Sequence, residues 1–266
     1  MVAPRPVETP TQSRYEVRFD WAIEGLKSIA PDAGIIIVVD AISFTTTIEL
    51  AVAHGLTVLP HSGEGSPADA ADAVGAALGK PRGQAGVSLS PSSITPESVA
   101  ALAPFTRVLL PSLNGSRVCA AAAEFGVPVV AAALRNRTAV ARWILSQQTE
   151  RGTRLRVAIV AAGEVRADAT TRFSVEDLLT AGAVVDALAT VGIDYCSPEA
   201  AAACAAYTGL ARATGQLLTA SVSGQQLIDD GQRADVELAA QLDVSDIVPV
   251  MLDDAFAAAA APPPFP

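Results

Sequence analysis

The sequence predicts an α/β fold: three layers, α/β/α, with a largely parallel or mixed central sheet and a helical C-terminal third. Three observations predict it. A run of β-branched residues, GIIIVVD at 34–40, shows no alternation, as a strand buried on both faces should read. An apolar strand, a polar tip and an amphipathic helix then recur along the chain, the pattern of a parallel sheet covered by helices. From about Ser197 onward, helical segments dominate.

Taken in order, the first unit is GIIIVVD followed by AISFTTTIELAVAHG. Thr46 and Glu49 stand at capping-box spacing, and Gly55 falls where a helix C-cap glycine belongs. The unit returns as RVLLPS (107–112) with NGSRVCAAAAEFG, as VPVVAAAL (127–134) with RNRTAVARWILSQQ, and as LRVAIVAAG (155–163) with SVEDLLTAGAVVDALATVG. Ser174 and Asp177 repeat the capping spacing. SPEAAAACAAYTGLARATGQLL suits one or two helices starting near Ser197 or Pro198, SGQQLIDDG is a short helix ended by Gly231, ADVELAAQLD is another, and DIVPVML is a closing strand or extended segment. Residues 1–14, rich in Pro, Thr and Arg, read as a flexible arm, 15–255 as one domain, and 256–266 as an Ala/Pro-rich tail.

Composition narrows the function. Of 266 residues, half are apolar and 17% are charged, which argues for a packed core and against disorder. A formal charge of −10 disfavours nucleic acid as a partner. No uninterrupted apolar run reaches membrane-helix length, and no signal-peptide pattern opens the chain. Cys119, Cys196 and Cys204 lack paired spacing and read as free thiols of a cytoplasmic protein.

In open α/β sheets ligands lie beyond the carboxyl ends of the strands, where helix N-termini present free N–H groups. Four tips carry the candidates. Asp40 precedes Ser43, Thr45, Thr46 and Thr47, a carboxylate beside hydroxyls that could hold a magnesium ion and a phosphate, or else only cap the helix. Ser112, Asn114, Gly115, Ser116 and Arg117 form the second, either an anion-binding turn or an ordinary one. Arg135, Asn136, Arg137 and Thr138 form the third; two arginines at a helix start oppose its dipole and so favour a ligand-facing role for one of them. Gly163, Glu164, Arg166 and Asp168, then Glu176 and Asp177, form the fourth. Adjacent Glu176 and Asp177 cannot share a helix face, so their jobs differ. His54 at a helix end and His61 in a loop after a strand offer little to a Ser–His or zinc mechanism. There is no P-loop, no dinucleotide fingerprint, no nucleophile elbow, and no Asp two residues after Asp40.

Together these segments resemble the 2-phosphosulfolactate phosphatases. VVDAISFTTTIELAVAHG resembles that family's Asp–aliphatic–(Arg or Ser)–Thr-Thr-Thr segment, SLSPSS its Asn-Ser-Pro-type segment, LPSLNGSRV its Thr-Thr-Asn-Gly-Thr-Arg segment, and ALRNRTAVARWI its Leu-Asn-x-x-Ala-Val segment. AAGEVRADATTRFSVEDLLTAGAVVDAL and SGQQLIDDGQRADVELAAQLDVSDIVPVM resemble the two closing segments. The likeness runs in order from about Gly34 to Met251. Ser43 stands where many members have Arg, the Gly-Glu-Arg stretch is reduced to GQAGVSLSPSS around Gln84, and Ala161 replaces a common Cys.

The resemblance implies a magnesium-dependent phosphomonoesterase that converts 2-phospho-3-sulfolactate to 3-sulfolactate and phosphate on the route to coenzyme M, in a homodimer. On that reading Mg²⁺ is held by carboxylates, Asp40 with one or more of Glu164, Glu176 and Asp177. Ser43, Thr45, Thr46, Ser112, Asn114, Gly115 and Ser116 bind the substrate and its phosphoryl group, Arg117 neutralises charge, and Asn136 orients the substrate. Attack by a metal-activated water and attack by Asp40 itself both remain open. The alternative is a catalytically inactive descendant that binds an anionic metabolite or a partner protein; a nucleotide-dependent transferase lacks its phosphate loop.

Overall fold

A computed structural model describes residues 11–63, 65–168 and 170–260. In chain order the elements are β1 (Val17–Trp21), α1 (Ala22–Ile29), β2 (Ile35–Val39), α2 (Phe44–Ala53), β3 (Thr57–His61), α3 (Pro67–Ala73), β4 (Ala77–Leu78) and α4 (Pro96–Ala100). They continue with β5 (Arg107–Pro111), α5 (Gly115–Ala123), β6 (Val129–Ala132), α6 (Arg137–Arg151), β7 (Val157–Ala161), β8 (Glu164–Val165), β9 (Thr171–Arg172) and α7 (Val175–Thr190). The last part holds α8 (Pro198–Leu210), α9 (Thr214–Ala220), α10 (Val222–Asp229), α11 (Arg233–Ala239), β10 (Pro249–Leu252) and β11 (Ala255–Ala258).

Nine strands form one sheet in the order β1-β7-β2-β6-β10-β11-β3-β5-β4. β1, β7, β2 and β6 run parallel, and so do β3, β5 and β4. Between the two blocks sits the β10–β11 hairpin, antiparallel to β6 on one side and to β3 on the other, so the blocks run in opposite senses. Side chains alternate across the strands. Ile36 and Val38 of β2 face a core made with Leu26, Ile48 and Val118 of α1, α2 and α5. Ile35, Ile37 and Val39 face the other layer, with Val140 and Ile144 of α6 and Val184 and Leu188 of α7. That two-sided burial is why the run lacks polar residues. α7 and α8 pack closely because Gly182 has no side chain to collide with the Ala203 carbonyl.

Several local expectations need correction. Thr46 does not cap α2; Ser43 precedes the helix, and the Thr46 hydroxyl donates to Ala41 O at 2.8 Å. Ser174 precedes α7 without a side-chain cap bond. His61 closes β3 rather than following it. The sequence assigns 256–266 to a tail, yet Phe256–Ala258 belong to β11 and Phe256 is fully buried: a large apolar residue at the sheet centre outweighs the alanines around it. Of the expected N-terminal arm, residues 1–10 lie outside the described residues, as does the 261–266 part of the tail. β1 and α1 are unforeseen. Arg18, buried within β1, donates to four backbone carbonyls (Ser13, Tyr15, Ile29 and Pro31) and to the Asp32 carboxylate at 2.7 Å. Cys119 is buried, Cys196 and Cys204 are half-buried, and all three are free thiols. No described helix is long and apolar enough to cross a membrane.

Candidate active site

In a flat sheet the ends of β2 and β5 would lie on opposite edges, because their blocks run in opposite senses. In the twisted sheet the tips of β2 and β5 nevertheless meet at one corner, where the residues that follow them are in hydrogen-bond contact. There α5, which packs on β2, β3 and β6 together, places the Gly115 N–H 2.9 Å from Asp40 Oδ2. Gly115 is required at this point, since a Cβ would collide with the Phe44 ring.

The third contribution comes from β7 and α7. Asp177 accepts from the backbone N–H of Ala41 at 2.8 Å and of Gly163 at 3.0 Å, so one carboxylate clamps the β2 tip to the β7 tip. Its neighbour Glu176 is also buried, and its Oε2 has no hydrogen-bond partner among the described residues. The two adjacent acids thus have different environments. Asn114 Oδ1 accepts from Val165 N–H at 3.2 Å, tying the β5 tip to the strand that carries Glu164.

These tips enclose a cleft of about 360 Å³ lined by Asp40, Ser43, Arg82, Ser112, Asn114 and Glu164, with Ser223, Gln226 and Leu227 of α10 also contributing. The Asp40 carboxyl is pushed up to about 7. Burial is the largest cause, and the Glu164 and Glu176 charges add to it against the Gly115 and Phe44 N–H groups, which favour the carboxylate. Asp177 is likewise held well above the usual carboxylate range by burial, then by Asp40 and Glu176. The corner is therefore crowded with negative charge. Among the described residues, no three His, Cys, Asp or Glu side chains form a ready metal-ligand cluster.

Other expected site residues lie elsewhere or are already occupied. The Thr45 hydroxyl donates to Asp40 O at 2.9 Å and Thr46 to Ala41 O, so both fasten the β2–α2 loop instead of facing a ligand. Ser116 is buried, its hydroxyl has no partner among the described residues, and it does not line the cleft. Arg117 lines a separate cavity of about 60 Å³ on α5, with Glu24 and Thr171. Asn136 is fully buried and joins Ala133 N–H at 2.9 Å to Ile247 O at 3.0 Å. It holds the β6–α6 junction to the approach of β10 and does not reach the cleft. Arg135 pairs with buried Glu49 at 2.5 Å and with Gln241, while Arg137 pairs with Asp186 and Asp243 and lies over the Tyr207 ring. Those carboxylates explain the two arginines at a helix start without a ligand.

Sequence reasoning missed Arg82 and Asp235. Arg82 donates to Ser43 Oγ at 2.7 Å and pairs with fully buried Asp235 of α11 at 2.8 Å. Asp235 also accepts from the Ser90 hydroxyl and from Ser92 N–H, which ties the SLSPSS segment to α11. The one available signal was an arginine in a loop of a chain with few cations.

A profile of the family described as 2-phosphosulpholactate phosphatase matches residues 24–254. A Cyanothece protein named "Probable 2-phosphosulfolactate phosphatase" is 32% identical over 228 residues, covering 80% of this chain and 87% of the relative. A protein of the same name from Thermosynechococcus vestitus is 31% identical over 233 residues, covering 82% and 88%. With the matched stretch spanning the Asp40 tip, the Asn114 turn and the Glu176–Asp177 pair, the chain belongs to the 2-phosphosulpholactate phosphatase family, enzymes that hydrolyse phosphoric monoesters.

Proposed function

We propose that this phosphatase hydrolyses a small 2-phospho acid, 2-phosphosulfolactate or a close relative, to the 2-hydroxy acid and phosphate with the help of Mg²⁺. The observation that carries the reading is Asp40: a buried carboxylate at the cleft, held by Gly115 N–H and repelled by Glu164 and Glu176. Such crowding of like charge favours a bound cation. Mg²⁺ keeps several waters and takes one or two protein carboxylates together with substrate phosphate, so Asp40 and Glu164 fit it without a preformed cluster. Asp177 fits less well as a ligand, since both its oxygens already accept backbone N–H groups. When bound, the ion would offset charge on the phosphoryl oxygens and acidify a water.

The chain's own groups do the rest. Ser112 and the Asn114 amide line the cleft and can donate to phosphoryl oxygens, with Asn114 aimed by its bond to Val165. Asp177 keeps the β2 and β7 tips in register, so Asp40 and Glu164 hold their spacing. Apolar Ile42, Leu89 and Leu227 exclude water from part of the cleft.

The test is phosphate release from a panel of 2-phospho acids with and without Mg²⁺, beside calorimetry of Mg²⁺ binding in two buffers of different ionisation enthalpy. Turnover with metal, and proton release on metal binding at pH 6.5, are expected, because a carboxyl titrating near 7 must lose its proton to ligate. Anion binding without turnover would instead establish the inactive family member.

A further inference from the structure

Among the described residues lining the cleft, Arg82 is the only cation. It is not a loosely solvated surface arginine. Nη1 donates to Asp235 Oδ2 at 2.8 Å and to Gln232 Oε1 at 3.1 Å, and Nη2 donates to Ser43 Oγ at 2.7 Å. A guanidinium has five N–H donors. Among the described residues, Nε–H and one Nη2–H therefore remain for another acceptor, and these two can form the fork that matches a planar carboxylate.

The anchor is stronger than a surface pair needs. The Asp235 side chain is 0% exposed while that of Arg82 is 27% exposed, so the acid is sealed in and the guanidinium reaches the opening. Ser90 Oγ and Ser92 N–H take up the rest of the Asp235 carboxylate. Asp235 and Gln232 both come from the segment around α11, so part of the helical C-terminal third serves to aim one side chain into the cleft.

We propose that Arg82 recognises the carboxylate of the substrate, an anionic group that stays on the product and that every 2-phospho acid carries, and that Asp235 is its positioning residue. The assignment rests on the phosphatase reading above for the identity of the ester. The phosphoryl group then takes the Ser112–Asn114 side of the cleft and the carboxylate takes the Arg82 fork. Ser43 contributes by holding Nη2 from below, with its own hydroxyl proton on Leu89 O at 3.2 Å.

The experiment compares 2-phospholactate, which carries phosphate and carboxylate, with p-nitrophenyl phosphate, which lacks the carboxylate. Wild type, Arg82→Lys, Arg82→Gln and Asp235→Asn are assayed for KM and kcat, with thermal melts to verify folding. Losing a charged fork should raise KM for 2-phospholactate about 10–100-fold in Arg82→Gln. Arg82→Lys, which keeps the charge and loses the fork, should give a smaller rise in the same direction, as should Asp235→Asn. The effect on the aryl ester should be several-fold smaller in each variant. Equal losses on both esters in the folded Arg82→Lys protein would overturn the proposal, because Arg82 would then act on the phosphoryl group or on the fold. Calorimetry with L- and D-lactate separates the two levels of inference. If wild type turns over neither ester yet binds lactate through Arg82, the phosphatase reading falls and the carboxylate site stands. If wild type hydrolyses both esters but lactate binding is absent or indifferent to Arg82→Gln, the carboxylate site falls alone.

Discussion

Arg18 and Asp40 are both buried charges on strands of one sheet, and their surroundings differ. Arg18, inside the edge strand β1, finds four carbonyls and a carboxylate, one acceptor or more for each nitrogen. Asp40, at the tip of β2, meets N–H groups on one side and the like charges of Glu164 and Glu176 on the other, and Glu176 Oε2 has no partner among the described residues. One environment is balanced among the described residues; the other is left unbalanced at the cleft. Buried polarity alone does not mark a site, whereas buried polarity left unbalanced at a cleft does.

The sharpest way to break this contrast is to neutralise each charge. Asp40→Asn should reduce phosphate release on the order of 10²–10³-fold, as for loss of a principal electrostatic group, while the protein stays folded by circular dichroism. Unfolding instead would show that Asp40 belongs with Arg18. Arg18→Ala should do the reverse. It leaves buried carbonyls without donors and should cost about 3 kcal/mol in urea unfolding, with kcat of the folded fraction near wild type.

The smallest effect is in pH. The folded Asp40 carboxyl titrates near 7, above its ordinary 3.8, so between those values the folded protein holds a proton that the unfolded chain has lost. Stability of the metal-free protein from this group is complete below about pH 4 and declines as pH rises through 7. The ceiling on that decline is about 4 kcal/mol, and relaxation around a buried group makes the realised change smaller. Urea midpoints from pH 5 to 8 should therefore fall more steeply in wild type than in Asp40→Asn. Parallel curves would mean that Asp40 is as settled in the fold as Arg18.

The same contrast explains what the sequence could show. The β2, β5, β6 and β7 units were readable because strands covered on both faces are unbroken apolar runs such as IIIVV. β1 was not, because VRFDW carries Arg18 and Asp20, and the bonds that make Arg18 tolerable come from residues 11 to 14 positions further on and from the preceding turn. Asp40, Asn114 and Glu164 stand just past or between strand ends and Asp177 opens the helix that follows, so all four could be found at the sheet's tips. Thr45 and Thr46 look the same in sequence whether a hydroxyl faces a ligand or its own loop, and only coordinates show the second. Asn136 and the arginines beside it were read as facing a ligand because their partners lie far along the chain, from Asp186, 49 positions away, to Ile247, 111 positions away. Arg82 and Asp235 escaped for the same reason: no local spacing joins a loop to a helix 153 positions later.

The β10–β11 hairpin has a consequence for how the chain is made. The segment from Pro249 to Ala258 lies between β6 and β3, in the middle of the sheet rather than at a border. On the ribosome, the two parallel blocks emerge long before the piece that joins them, and each must wait with an uncovered flank until Pro249–Ala258 has been synthesised. Closure of the sheet is thus a late event of biogenesis, and a nascent chain halted before Pro249 would hold two separate half-sheets, each with an open border ready to pair with the wrong neighbour.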